Sequence, residues 1–339
     1  MALVTPKRRS ATIRLISFGL LALLLAFLSL WSLTVGTTAI PLSDALRAVT
    51  SEGTSHQDVI ISTIRLPRVL TAIIVGSTLG VAGALMQAVT SNPLASPDLL
   101  GISAGAAFAV VISIVFFNAQ SPLVFLWFAF GGAAVAGAIV YVIAAAGMSG
   151  VTPVKLALSG AVLSVFLGSV SASLLIFDMK AIDTIRMWSV GSLVGKEMAS
   201  VVAVAPFALA GVAATLLLAK EVTTLSLGAD VAQAVGQNVV VWRLISGAMV
   251  ILMAGSSVAL AGPIGFVGLV VPHIVRLSVG IDYRWILPFC ALSGALLVVT
   301  ADGLQRSLTG IDIPVGVTLA LIGAPFFVWL ARSRSGGIA

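Results

Sequence analysis

Charged residues are so sparse in this chain that they act as punctuation between long apolar runs. Stretches free of Asp, Glu, Lys and Arg cover 15–43, 69–97, 99–154, 156–177, 198–219, 244–275, 285–301 and 313–331. Within them apolar residues follow one another without the alternation of a half-buried strand, and the runs far exceed the roughly 4–8 residues of one. A helix crossing a hydrocarbon core needs about 20 such residues. The run 99–154 therefore holds two spans, parted near NAQSP at 118–122. The run 244–275 carries GPIG at 262–265 and reads either as one span or as two short helices meeting there. The total is nine or ten.

Charge asymmetry decides between them, because cytoplasmic segments collect Lys and Arg. Lys7, Arg8, Arg9 and Arg14 place the N-terminus in the cytoplasm, and Arg332 and Arg334 ask the same of the C-terminus. Both ends inside requires an even number, hence ten. Cytoplasmic segments then hold eleven Lys/Arg against four acids, and outer segments seven against eight. The expected organisation is a cytoplasmic tail at 1–14, a ten-span domain at 15–331 with a cytoplasmic loop at 220–243, and a second tail at 332–339. The start outlines a signal peptide, yet the first apolar run exceeds the roughly 7–15 residues of a signal h-region and is long enough to span.

Composition agrees. Apolar residues make up 59% of the chain and charged ones 9%, against roughly 25% charged in soluble domains, and mean hydropathy is +1.17. In lipid every backbone polar group needs an internal partner, which leaves helices or closed barrels. Barrel strands would alternate polar and apolar. The fold class is an all-α integral membrane protein. Cys290 is the single cysteine, which excludes a disulfide framework and a cysteine zinc site. The pI near 10.1 would suit a nucleic-acid partner, but the basic residues are scattered between spans and topology accounts for them.

Two stretches echo each other, GSTLGVAGALMQ at 76–87 and GSSVALAGPIGF at 255–266, with Pro93 and Pro272 following at the same offset. They fall on spans two and seven, which run in opposite directions. That is the pattern of an inverted repeat, whose interface usually holds the substrate path. Small residues recurring at packed interfaces would give a similar echo.

Catalytic and energetic chemistry is sparse. GSLVGKE at 191–197 is one residue short of a P-loop and lacks its Ser/Thr, and it falls on the outer side, so Lys196 reads as a loop charge. Ion-coupled carriers keep ionisable groups deep in their spans, whereas the acids here cluster at span ends. His56 and His273 match no zinc-protease spacing, and no nucleophile, metal cluster or acid–base pair can be assembled. An ion-coupled secondary carrier and a membrane enzyme are the rival classes, and each lacks its defining residues.

One polar interruption stands out, LSLGADVAQAVG at 225–236. Gly228 and Gly236 permit chain reversals around one or two helical turns. Val231, Ala232 and Val235 fall at helical spacing and give a small apolar face for a partner, with Asp230 near the helix start, where the dipole favours an acid. An amphipathic linker on the membrane surface is the plainer alternative.

Six stretches in order carry a family resemblance: RLPR (65–68), GALMQAVTSNPLASPDLLGISAGA (83–106), WSVGSL (188–193), LSLGADVAQAVG (225–236), GPIGFVGLVVPHIVR (262–276) and IPVGVTLALIGAPFFVWL (313–330). Together they resemble the membrane permease of ATP-binding-cassette (ABC) importers for ferric siderophores, haem and cobalamin, over about 15–331. The resemblance implies ten spans, a second permease subunit (identical or paralogous), two cytosolic ATPase subunits and a periplasmic or lipid-anchored substrate-binding protein. It also implies the bacterial cytoplasmic membrane and no cofactor. It makes Leu227, Gly228, Ala229, Asp230, Val231, Ala232, Val235 and Gly236 the ATPase-coupling segment. Arg65 and Arg306 match positions that dock acids of the binding protein, with Arg68 beside them; without the resemblance they read as arginines snorkelling at span ends. Asn92 and Leu94 match one inner gate loop and Thr152, Pro153 and Val154 the other, although Pro153-Val154 stands where some relatives have small hydroxyl residues. The expected cargo is a ferric siderophore, with cobalamin or haem as the alternative, and specificity is expected to lie largely in the binding protein.

Overall fold

The computed structural model describes residues 11–36, 38, 40–50, 55–146, 151–177 and 179–335. Among these the chain is helical, with no strand. It opens with α1 (Ala11–Thr34) and the short α2 (Leu42–Thr50). A rod then runs over His56–Thr90: α3 (His56–Ile60), one π-helical turn (Ile61–Arg65) and α4 (Leu66–Thr90). A 3₁₀ turn at Pro97–Leu100 leads into α5 (Ile102–Phe117), followed by α6 (Pro122–Ala145), α7 (Pro153–Leu175) and α8 (Met179–Ser189). Then come α9 (Met198–Leu217), α10 (Ala219–Ser226), α11 (Ala229–Ala234) and α12 (Val239–Ala261). The last are α13 (Val267–Val279), α14 (Tyr283–Thr309) and α15 (Val315–Ser335).

Among the described residues, seven helices are long and apolar enough to cross a membrane: α1, the His56–Thr90 rod, α6, α7, α9, α12 and α14. Three shorter apolar helices, Ile102–Phe117, Val267–Val279 and Val315–Val328, occupy the remaining segments read from the sequence. Both expected breaks lie where the polar punctuation put them. Asn118 turns into the left-handed region (φ 48) to end α5, and Pro122 opens α6 at a position where its missing N–H costs nothing. GPIG parts α12 from α13: Gly262 sits at φ 75, and a Cβ there would lie 2.3 Å from the Trp188 carbonyl oxygen. The terminal helices overrun the expected tails, α1 starting at Ala11 and α15 ending at Ser335.

The axis of the molecule is α4, with 20 of its 25 residues buried. Helices α9, α12, α13 and α14 pack around it. Approach is at backbone range, as expected where small residues replace a hydrophobic driving force between helices in lipid. A Cβ on Gly76 would lie 2.3 Å from the Gly294 oxygen, and one on Gly83 only 1.9 Å from the Gly268 oxygen. Thr78 and Ser257, which hold the same place in the two echoing segments, meet hydroxyl to hydroxyl at 2.5 Å. The periphery is looser. On α7 only Leu156 and Gly160 are buried.

Candidate functional site

Three clusters lie at the ends of this bundle. The first is the turn between α9 and α12. Gly228 (φ 106) and Gly236 (φ 83) both take backbone conformations that L side chains rarely adopt, which is why glycine brackets α11. At its far end the Gln237 N–H donates to the Ala232 carbonyl and the Gly236 N–H to the Gln233 carbonyl, both at 2.9 Å. This pair of bonds is a Schellman stop. The Gln237 amide then donates to the Glu221 carbonyl at 3.0 Å and ties the turn back onto α10. Leu227, Val231 and Val235 are 53%, 46% and 67% exposed, and Asp230 is exposed beside them. Ala232 departs from the expected partner face: it is fully buried, in the same core as Val222, Leu225 and Val239. A six-residue helix held against its own α10 and α12 has to turn one side inward, and Ala232 is on that side.

The second cluster is the pair of loops expected to form a gate, and both are helix termini. Ser91, left-handed at φ 49, ends α4. The Asn92 carboxamide oxygen accepts from the Leu94 N–H at 3.0 Å, the local turn that asparagine favours. Thr152 caps α7 by accepting from the Lys155 N–H at 3.3 Å, with Pro153 in the first turn. Val154 is 75% and Leu94 39% exposed. Arg243 of α12 donates to the Val151 carbonyl at 2.8 Å, fixing the start of the second loop.

The third cluster lies at the opposite end of α4. The Arg68 guanidinium grips Asp302 of α14 (2.8–3.1 Å) and also reaches Asp312 at 2.6 Å. Arg306, one turn beyond Asp302, pairs with it at 3.3 Å. Arg306 also donates to the carbonyls of Ser32 and Val35, at 3.2 and 2.7 Å, while Arg65 donates to those of Leu33 and Thr38, at 2.7 and 2.5 Å. The two arginines thus cap the C-terminal end of α1, where orphan carbonyls and the helix dipole favour cations. This differs from arginines standing free for a partner: Arg65 and Arg306 are each only 5% exposed. They line a recess of about 240 Å³ whose walls include Arg65, Arg68, Arg306 and Asp312.

Asp302 is the residue that sequence reading passed over. It counted merely as an outer acid, yet it is 2% exposed and joins two arginines. Its signal was present in the four-residue spacing to Arg306, which places both on one helix face. Lys196 sits in the turn before α9, where desolvation draws its ammonium down to about 8.

Comparison with known proteins identifies the family. The pattern of the FecCD transport family matches residues 24–333. The chain is 45% identical over 327 residues to the Fe(3+)-citrate import system permease protein YfmD of Bacillus subtilis, covering 96% of this chain and 97% of that one. It is 41% identical over 302 residues to the probable siderophore transport system permease protein YfiZ of the same organism, covering 89% and 91%. A solved inward-facing structure, of a transporter assigned to the metal-chelate ABC type, superposes with a TM-score of 0.80 at 27% identity, covering 94% of this chain and 99% of that one. Helical spans around a buried α4, the order of the motifs and near full-length similarity converge, and the chain belongs to the FecCD transport family, a multi-pass permease of the ABC importers for iron chelates, haem and cobalamin.

Proposed function

We propose that this chain forms the translocation path for a ferric siderophore in a bacterial cytoplasmic membrane, powered by a separate ATPase seated on the α10–α11 turn. The observation that carries the reading is the exposed apolar trio Leu227, Val231 and Val235 on a turn bracketed by Gly228 and Gly236 between α10 and α12. Apolar side chains fixed clear of the hydrocarbon gain by being covered by a protein partner. Similarity to permeases for ferric citrate and for siderophores favours an iron chelate as cargo. This chain, a second permease subunit (a further copy or a paralogue), two ATPases and a binding protein make the assembly. The test uses the exposed residues, since a charge at buried Ala232 would disturb the permease itself. Val231→Arg with Val235→Arg should insert normally, lose copurification with the ATPase and stop uptake. Retention of the ATPase at wild-type stoichiometry would show that it seats elsewhere.

The three shorter helices count as spans in this reading, giving ten with both termini inside. Loops assigned to one side contact one another, which supports it: the Ser192 N–H donates to the Ala261 carbonyl at 2.7 Å and the Gly316 N–H to Gly191 at 3.0 Å. On the other side the Tyr283 N–H donates to the Thr223 hydroxyl at 3.0 Å. The Thr78–Ser257 contact supports the inverted repeat, because equivalent residues meet at a two-fold axis. In a Cys290→Ala background, cysteines at Val194 and Asp230 should react with an impermeant maleimide from opposite faces of oriented vesicles. Reaction of both from one face would overturn the topology.

On the outer side, the recess beside Arg65 and Arg306 is the proposed meeting point for acids of the binding protein. Three guanidinium groups face two carboxylates there, and the surplus positive charge steers an acidic partner. The loops at Asn92–Leu94 and Thr152–Val154 form the proposed inner gate.

A further inference from the structure

Between the ATPase seat and the first gate loop lies a cavity of about 210 Å³. Ser226 and Leu227 of the seat wall one side, Ser91 and Pro93 of the gate loop another, and Arg276 and Tyr283 complete it with Gln87. Gln87 is 2% exposed in the last turn of α4. Its amide nitrogen donates to the carbonyls of Gly268 and Leu269 at 3.3 and 3.4 Å. The first of these has a definite cause. In a regular helix the Gly268 carbonyl would accept from residue 272, but that residue is Pro272, which has no N–H. Gln87 supplies the missing donor from another helix.

The other end of the same amide is also engaged. The Gln87 oxygen accepts from the Arg276 guanidinium, in the last turn of α13. Helices α4 and α13 are otherwise in backbone contact, through Gly83 and Gly268 one turn away. Beside them, α10 is hydrogen-bonded to the start of α14 through Thr223 and Tyr283. Displacement of α10 by a partner would therefore bear on α14 directly, and across the cavity on Arg276.

We infer that Gln87 and Arg276 are positioning residues for coupling: they join α4 to the proline-weakened turn of α13, so that movement of the ATPase seat is passed to the gate loop at Ser91–Leu94. This rests on the seat proposed above. A proline inside a helix leaves a local weak point where the axis can bend, and a single amide bridging that point to α4 makes both helices respond together. The cavity gives the seat room to move before contact is made.

The test separates coupling from assembly. The complete complex of permease, ATPase and binding protein is reconstituted in proteoliposomes, and chelate uptake is measured per ATP hydrolysed. Arg276→Ala should keep the ATPase bound and hydrolysing, while uptake per ATP falls about tenfold. Arg276→Lys, which can still donate to the Gln87 oxygen, should recover most of the loss. If Arg276→Ala cannot be recovered as a complex, Gln87→Met breaks the same link from α4 at nearly equal volume and should uncouple likewise. Normal uptake per ATP in either assembled variant, or equal loss in the Ala and Lys variants, overturns the inference. If the seat proposal itself is at fault, the Val231→Arg/Val235→Arg variant keeps its ATPase; if only this joint is at fault, that variant loses its ATPase and Arg276→Ala stays coupled.

Discussion

Replacing Asp302 with alanine is expected to destabilise the folded permease by about 3–5 kcal/mol, the range found when one member of a buried ion pair is removed. The change strips the only fully buried carboxylate from Arg68 and Arg306, which are each 5% exposed. Arg68 keeps its half-exposed partner Asp312, and Arg306 keeps its bonds to Ser32 and Val35. Neither arrangement neutralises two guanidinium groups within low-dielectric surroundings. Asp302→Asn keeps the volume but not the charge and should fall in between. Thermal unfolding in detergent reads the loss, and Asp302→Ala with Arg306→Met should cost less than the sum of the two single changes, since the residues share one network. Additive losses, or wild-type stability of Asp302→Ala, would show that the cluster does not hold the neighbouring ends of α1, α4 and α14 together.

The second large effect is steric. Gly83→Val should prevent accumulation of folded protein, and Gly83→Ala should already cost about 1–3 kcal/mol or more from overpacking. The Cβ of either would lie 1.9 Å from the Gly268 oxygen and 2.4 Å from its Cα, and both obstacles are backbone. Parting α4 from α13 would also pull Gln87 off the carbonyl it satisfies. Gly168→Ala, on α7 where an added Cβ meets nothing within 4 Å, is the matched control and should leave yield and melting temperature unchanged. A normal yield of Gly83→Val would mean that the crossing is looser than its geometry.

How far these features could be read in advance depended on what carried the signal. Apolar helices were legible because charge is costly in lipid, so long charge-free runs mark them, and NAQSP and GPIG broke their runs where glycine, asparagine and proline chemistry required. The turn around α11 was legible because Gly228 and Gly236 interrupt an apolar pattern. Which helix forms the axis was not, for a physical reason: α4 and α7 are both predominantly apolar with no marked polar face, so periodicity carries no direction. The same blindness applies to single side chains. Spacing put Val231, Ala232 and Val235 on one short helix but did not show that Ala232 turns inward. It placed Arg65 and Arg306 at span ends but did not show that the end of α1 lies within their reach. The short helices α2 and α8 went unread, since each is a polar segment between spans.

The burial of α4 also bears on how such permeases diversify. A helix surrounded on all sides has no idle face, so a change at one of its positions is felt by a neighbour at backbone distance, and compensation must come from two or three helices at once. On α7, where only Leu156 and Gly160 are enclosed, a side chain can drift without asking leave of the rest of the chain. Proteins of this family named for cargoes as unlike as ferric citrate, hemin and cobalamin can thus share one spindle and vary at the rim.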